Sequence, residues 1–552
     1  MRKKTDMMAA EPNLFTMAEN KIFSAASSIS NNFIQEKISA PYEGASFKQS
    51  LKEWASAAFT TADEALLPNV QTLRTRSHDA MRNQPAARGA IRTMRKGVIG
   101  SSLRLQASVD RDFLKIDEEQ AQEWQAKTQQ EFRLWAENRN CDFSRQLNFA
   151  GLQKLAFTSQ RVAGDCFVLL PQKPFPGMIY DLRVQIIDAD RVCNPNDLGD
   201  TAEIAGGIER NEDGIPTAIH IRTPHPAASI YQQISPTWMR IPIYGRKTGH
   251  RNVLHLMSLE RIGQTRGEPI LSPVIETLKQ ISRYSAAELS AAVVNALLTV
   301  GIERPLEDTT NVSAFNNFEE GKEPWNRNDN YKLGAGTWVD FAPGEKANII
   351  SAVRPSSQFD PFFLANIKQI GMALGIPYEV LIKHFSSSYS ASRAAMLDFH
   401  KDCLDEREDF IEAFCQPIYE EFLTEAVIKG RIKAPGFLFD PDKRLAYSGA
   451  YWIGPAQGQI DEVKEVTAAH LRVIHGFSTQ DIESQKLSGM SYVDIVRAQA
   501  GEKRVEDKFG WHPSEPKANT NNQSEEKEDG DGEKTGGQSD TSDSANPVGN
   551  NR

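Results

Sequence analysis

Residues 358–393, reading QFDPFFLANIKQIGMALGIPYEVLIKHFSSSYSASR, restrict the fold more than any other stretch of the chain. Asp360 is placed to cap a helix, and Pro361 suits the first helical position, where its missing N–H costs nothing. Gly375 fits the left-handed residue just past a helix end, and Pro377 blocks continuation. The spacing predicts a helix over Asp360–Leu374, a short apolar segment, and a longer helix from about Ser390 to Lys429. Met396, Phe399, Cys403, Phe410, Phe414, Ile418 and Phe422 recur in that helix mostly at three- and four-residue steps, with a break expected near Pro417. Ser386–Arg393 has two readings, a functional polar loop or a set of caps for the long helix. Nothing in the stretch resembles a nucleophile, a metal ligand or a phosphate cradle. Such an architecture suits mechanical or assembly work better than chemistry.

The chain has 552 residues, too many for one compact core, so several modules are expected. Its net charge of −10 argues against a freely diffusing protein that grips DNA phosphates tightly. Transient or enclosing contact with DNA is compatible with it. Cys141, Cys166, Cys193, Cys403 and Cys415 form no C-x-x-C pair and are odd in number, which predicts reduced thiols in a cytosolic setting. The histidine pairs 220/225, 250/255 and 470/475 share a spacing that places none of the three on one helix face, and no structural zinc pattern is present. The start, MRKKTDMMAAEPNLF, lacks the apolar run of a secretory signal. Leu289–Val300 is too short to span a bilayer and reads as a buried helix.

Along the chain, residues 1–50 are polar and weakly patterned. Phe59–Gln106 reads as two short helices divided at Pro85, with Leu73, Met81, Ile91, Met94 and Ile99 as the apolar set and a strand over Leu103–Ala107. Asp117–Asn138 is an amphipathic helix marked by Trp124, Phe132 and Trp135. A helix over about Phe149–Val162 follows, with Leu152, Leu155, Ala156 and Ser159 at packing positions. From Gly164 to Leu256 short β-type runs alternate with turns, among them NEDG at Asn211–Gly214. A helix should start at Ser272 as cap with Pro273 at N1 and run to Val300, with Ile275, Leu278, Ile281, Ala286, Leu289, Val293 and Leu297 on one broad face. Gly301–Asp340 is loop-rich. Trp452–Gly501 holds a helix from about Ile460 to His475, with Gly476 as a stop and Ser478 as a cap, and short helices through Ile482 and Val493.

Motifs for chemistry are lacking. GAGTW at Gly334–Trp338 has no lysine, and GEKTGG at Gly532–Gly537 has no upstream glycine, so neither is a nucleotide loop. GFSTQ and GMSYV each miss the second glycine of a nucleophile elbow. Asp188 and Asp190 in DADR share a strand face and have two readings, a divalent-metal pair or a turn with a salt bridge. Arg240, Arg246, Lys247 and Arg251 in RIPIYGRKTGHR form a basic run. It suits DNA phosphates, an acidic partner, or simply a solvated hairpin tip.

Several separated segments together resemble the lambda-type portal proteins of tailed bacteriophages. They are LRTRSHDAMRNQPAARGAIRTMRKGVIGSSLRLQ, IDADRVCNP, GIERNEDGIPTAIHI, RIGQTRGEPILSPVIETL, IGMALGIPYEVLIKHFSSSYSASRAAML, WIGPAQGQIDEVKEV and GFSTQDIESQKLSGMSYVDIVRAQAGEK. The likeness spans about residues 40–510 and rests on their order rather than on one motif. It implies an α+β portal-type subunit with a β-rich wing and clip, long stem and tunnel helices and a helical C-terminal crown. The implied division is a flexible N-terminal arm over 1–50, the N-terminal wing over 51–200, clip and stem over 201–300, and the C-terminal wing over 301–350. The tunnel loop and helix would take 351–385, upper wing and crown 386–510, and a disordered acidic tail 511–552.

The resemblance further implies a dodecameric ring at one capsid vertex, through which double-stranded DNA passes without sequence preference. Terminase large subunit, head-tail connector or adaptor proteins, and major capsid and scaffold proteins are the implied partners, with no membrane, no cofactor and no catalysis. The protein would reside in the virion after assembly in the host cytoplasm. Channel candidates are Arg354, Ser356, Ser357, Gln358 and Lys368. Candidates for docking the motor through the clip are Arg240, Arg246, Lys247 and Arg251. Competing readings are a capsid-associated minor head or scaffold protein and a phage nucleic-acid-processing enzyme. The first predicts extended coiled coil or a small shell domain, and the second a metal-carboxylate cluster or nucleotide loop.

Overall fold

A computed structural model describes residues 59–228, 234–297, 301–302, 339–340, 359–385, 388–456 and 462–510. Helix α1 (Ala62–Asn83) starts on a capping box between Thr61 and Glu64. Pro85 then opens α2 (Pro85–Val98), so the predicted division at this proline is present. Ala87, Ala90, Ile91, Met94 and Val98 form the buried stripe of α2. Strand β1 (Arg104–Ala107) follows, then α3 (Glu118–Ala136) and α4 (Phe149–Ala163), capped by the side chains of Asp117 and Asn148. Leu152 and Ala156 pack inward as expected, but Leu155 is exposed. The face of α4 that packs is centred on Gln153, a polar residue that apolar patterning passes over. Its carboxamide bonds both the N–H and the carbonyl of Leu103 at 3.0 Å, so burial leaves it satisfied.

Every short β-type run becomes a strand. β2 (Asp165–Leu169), β3 (Gln185–Ile187) and β8 (Val253–Met257) form an antiparallel sheet in the order β3-β2-β8. β4 (Ile204–Ala205), β5 (Ile208–Arg210), β6 (Pro216–Thr223) and β7 (Thr237–Pro242) form a second sheet in sequence order. The NEDG turn joins β5 to β6. Gly214 there takes φ +79° and donates its N–H to the Asn211 carbonyl.

Helix α5 (Ile275–Leu297) begins differently from expectation. Ser272–Val274 forms a 3-10 turn, and the Ser272 hydroxyl is buried without a partner instead of capping. Leu278 and Ile281 are buried, whereas Leu289 and Val293, expected on the same packed face, are exposed. Helix α6 (Phe359–Ala373) starts one residue early, which puts Asp360 and Pro361 inside its first turn and removes Asp360 as the cap. Gly375 has the expected left-handed conformation at φ +64°. A short α7 (Tyr378–Ile382) leads to α8 (Tyr389–Phe410), capped by Ser388. The break foreseen near Pro417 is a π turn over Ile411–Cys415, before α9 (Gln416–Ile428). Of the apolar series, Cys403, Phe410, Phe414, Ile418 and Phe422 are buried.

After α10 (Pro441–Ser448) comes β9 (Ala450–Ile453), which pairs antiparallel with β1 and sets Trp452 opposite Leu105. No element is predicted over this run from the sequence. The chain then forms α11 (Glu462–Ile474), α12 (Gln480–Ser488) and α13 (Tyr492–Phe509). Thr479, not Ser478, caps α12, and α13 continues past Gly501.

The chain is thus α+β, with a core that joins its two halves. Phe132 from α3 meets Phe422 from α9 edge-on at 5.2 Å and Trp452 from β9 at 5.8 Å. Phe149 stacks on Phe414 at 5.7 Å. Such pairs add about 0.5–1.5 kcal/mol each beyond the area they bury. All five cysteines are free, and no helix among the described residues is long and apolar enough to cross a membrane.

Candidate channel and docking surfaces

Lys368 is the only channel candidate among the described residues, since Arg354, Ser356, Ser357 and Gln358 lie outside them. It projects from α6 on the side away from buried Ile367 and Ile370, with Nζ 4.9 Å above the Tyr378 ring. The rest of the exposed face of α6 is weakly charged. Phe362, Leu364 and Met372 are exposed there, and Asp360 is the sole acid of the helix. Tyr284 from α5 holds the start of α6 by ring contacts with Phe359 at 5.5 Å and Phe362 at 4.8 Å.

The basic run between β7 and β8 divides into a tied base and an exposed tip. Arg240 grips Glu209 with two bonds of 2.7 and 2.8 Å, and that bond holds the Glu209 carboxyl below its usual range. Tyr244 pairs with Arg251, and Gly245 closes the turn by donating to the His250 carbonyl. Glu421 of α9 then accepts from the Arg251 backbone at 3.0 Å and meets His250 Nδ1 at 2.7 Å. Arg246 and Lys247 sit exposed at the tip, without an ion pair to any described residue. Of the four docking candidates, Arg240 alone has its guanidinium bound by a carboxylate, Arg251 is half-buried with its guanidinium 5.8 Å from the Tyr244 ring, and Arg246 and Lys247 are exposed.

The β module is fixed to the helices by a buried charge cluster that the sequence reading missed. Asp165 has no exposed surface. It accepts from Arg74 Nη2 at 2.8 Å, from Arg266 Nε at 2.5 Å and Nη2 at 3.2 Å, and lies 3.4 Å from His255 Nε2. Burial alone would raise this carboxyl, but the guanidiniums of Arg266 and Arg74 overcome it and hold it far below the carboxylate range. Arg266 also donates to the carbonyls of Val192, Gly206 and Ala189. One side chain therefore ties together the segments flanking both sheets. The neighbouring Gly267 packs so tightly on Gly164 that any Cβ would strike the Gly164 carbonyl. Arg74 and Arg266 belong to two segments already singled out, but the chain separation from Asp165 hid the contact.

Asp188 and Asp190 have the contacts that the turn-and-salt-bridge reading expects. Asp188 caps a 3-10 turn, and Asp190 lies 3.5 Å from Arg74. His225 comes within 3.7 Å of Asp188, which groups three possible metal donors, with Arg74 already beside one of them.

The C-terminal helices differ from the rest. Among residues 462–510 only Ala469, Glu483 and Ser491 are buried. Val463, Phe477 and Phe509 are 77%, 83% and 74% exposed. The main tie within this unit is Arg472 to Glu483 at 2.6 Å, which lowers the Glu483 carboxyl to about 2. Large apolar side chains left in water on three successive segments suit an interaction surface.

The chain is similar to known proteins over most of its length. The model of the family described as phage portal protein, lambda family, matches residues 47–407. The portal protein of Escherichia phage N15 is 25% identical over 489 residues, which make up 85% of this chain and 91% of that protein. Portal protein B of Escherichia phage lambda is 24% identical over 478 residues, 83% of this chain and 88% of that protein. Among solved structures, a chain from the neck of an empty GTA particle covers 75% of this chain and 94% of its own, at 14% identity and a TM-score of 0.38.

Proposed function

The chain belongs to the lambda family of phage portal proteins, and from that premise we propose that twelve copies close into a ring around double-stranded DNA at one capsid vertex. The family role is structural, so no reaction is assigned to any residue. The observation that carries the ring is the apolar surface that one copy leaves in water. Leu289 and Val293 on α5 are 68% and 51% exposed, and the apolar faces of α11–α13 add to them. A head-to-tail ring covers such faces by seating each on a different face of the next copy. In this reading the two sheets form wing and clip, α5 the stem, α6 the tunnel helix and α11–α13 the crown.

A channel for any DNA sequence must not read base edges. It must also avoid a continuous basic wall, because each phosphate contact adds affinity and opposes sliding. The exposed face of α6, with Lys368 as its cation, suits that requirement. Arg354, Ser356, Ser357 and Gln358 would complete the lining. Replacing Arg354 and Lys368 with alanine together is expected to lower packaged or retained DNA while rings still form. Unchanged packaging rejects the channel assignment, and loss of the rings reassigns both residues to structure.

Arg246 and Lys247 at the exposed tip form the proposed contact for the terminase large subunit during filling, and for connector or adaptor proteins later. Arg240 and Arg251 position that tip through Glu209 and Glu421. Major capsid and scaffold proteins would surround the outer wing during assembly in the host cytoplasm, and the finished ring would stay in the virion.

A further inference from the structure

Two surfaces of opposite sign lie about α2, and each keeps several charges without an ion pair among the described residues. The first is a basic ridge. α2 carries Arg88, Arg92, Arg95 and Lys96 and no acid. Arg88, Arg92 and Lys96 are exposed and recur every four residues, so they share one face of the helix. Arg76 and Arg82 of α1 are exposed as well. None of these six cations forms an ion pair with a described residue.

The second surface is an acidic cleft. Asp402, Asp405, Asp409 and Glu412 from α8 and the π turn form one wall, and Glu260 and Glu268 after β8 form the other. None of these six is ion-paired to a described residue. Arg161 lies in the cleft, 7% exposed, where it pairs with Glu406 and is attracted by Asp409 and Glu260, so one buried cation faces the whole acidic set. Arg251, the other arginine there, is held at its backbone by Glu421. Crowding is visible at Asp402, whose carboxyl is raised by burial and by Asp398 and Asp405. Met94 and Val98, on the packed side of α2, also line this cleft. The ridge cations occupy the remaining side of the same helix, so ridge and cleft face different directions.

We infer that the basic ridge of one copy seats in the acidic cleft of the next, and that this charge pairing sets the head-to-tail direction of the ring. The inference rests on the ring reading above and deepens it. A two-fold dimer would bring like charge against like charge on either surface, which opposes association. Opposite charges on different faces instead favour a heterologous contact that repeats around a ring. Duplex DNA is the other polyanion that would suit the ridge, but it would leave the acidic cleft without a counter-charge.

Charge exchange in the full-length chain tests this. One variant carries Arg88→Glu, Arg92→Glu and Lys96→Glu, and the other Asp405→Lys, Asp409→Lys and Glu412→Lys. All six positions are exposed, so circular dichroism and melting should match the parent chain. If either triple variant misfolds, the single changes Arg92→Glu and Asp405→Lys replace it. In sedimentation velocity each variant alone is expected to lose rings under conditions where the parent forms them. Mixing the two variants should restore closed particles, because each then offers what the other lacks. Rings from either variant alone, or no recovery on mixing, overturn the inference. Ridge-variant rings that have lost binding of a labelled duplex also overturn it, by assigning the ridge to DNA. A parent chain that never forms rings overturns the ring reading itself, and this inference with it.

Discussion

The region around Asp165 and the helices α11–α13 are held by opposite means. Around Asp165, residues from α1, β2, β8 and the segment after it converge on one carboxylate with no exposed surface. In α11–α13, only three residues are buried, and the main tie between helices is the ion pair of Glu483 with a half-exposed arginine. The first region is complete in a single chain. The second spends its apolar side chains on its outside, which is sensible only where neighbours cover them. Stability in this molecule thus sits where the chain contacts itself, and assembly capacity sits where it does not.

That contrast can be broken most severely at Asp165. Asp165→Asn leaves Arg74 and Arg266 buried without their counter-charge, and a loss of about 3–5 kcal/mol is expected. Urea unfolding measures it, and a loss below about 1 kcal/mol removes the cluster from its anchoring role. Glu421→Ala should act more locally. It frees the His250 and Arg251 backbone clamp at a cost of about 1–3 kcal/mol. Faster hydrogen exchange at the Arg251 amide is the expected sign, and unchanged exchange contradicts the clamp.

Acid should separate the two regions without any mutation. The folded Glu483 carboxyl lies at about 2 because of its bond to Arg472, against an ordinary 4.5. A depressed carboxyl contributes its stability above the unfolded value and loses it as pH falls toward the folded one. Loss of α11–α12 packing is therefore expected between about pH 4.5 and 2, with the Asp165 region outlasting it because its carboxyl is held lower still. Simultaneous loss of both regions contradicts the separation. The smallest effect on the single chain is expected from Phe477→Ser, within about 0.5 kcal/mol, because Phe477 is already in water. The same change should lower ring yield, and undiminished yield places Phe477 outside any contact between copies.

How much was readable in the sequence follows from chain separation. Pro85, the NEDG turn, Gly375 and the three-and-four spacing of α8 and α9 act on nearby residues, so those elements appear where expected. β9 is not legible because its partner β1 comes far earlier in the chain, and a four-residue run carries little periodicity of its own. Ser272 looked like a cap, but the chain entered α5 through a 3-10 turn. Gln153 was passed over because a polar residue on a packed face is visible only once its partner, Leu103, is known. The site showed the same division. The basic run is legible as charge, yet the tie of Arg240 to Glu209 and the clamp of Glu421 on the hairpin base come from distant segments, and they leave Arg246 and Lys247 as its exposed cations. The Asp165 cluster joins residues 91 and 101 positions apart, beyond the reach of any local pattern.

Electron microscopy of the purified full-length chain in negative stain tests the central claim most directly. Closed particles with a central opening, built from many copies, are the predicted result. A stable, uniformly monomeric protein under conditions that favour assembly would contradict the account.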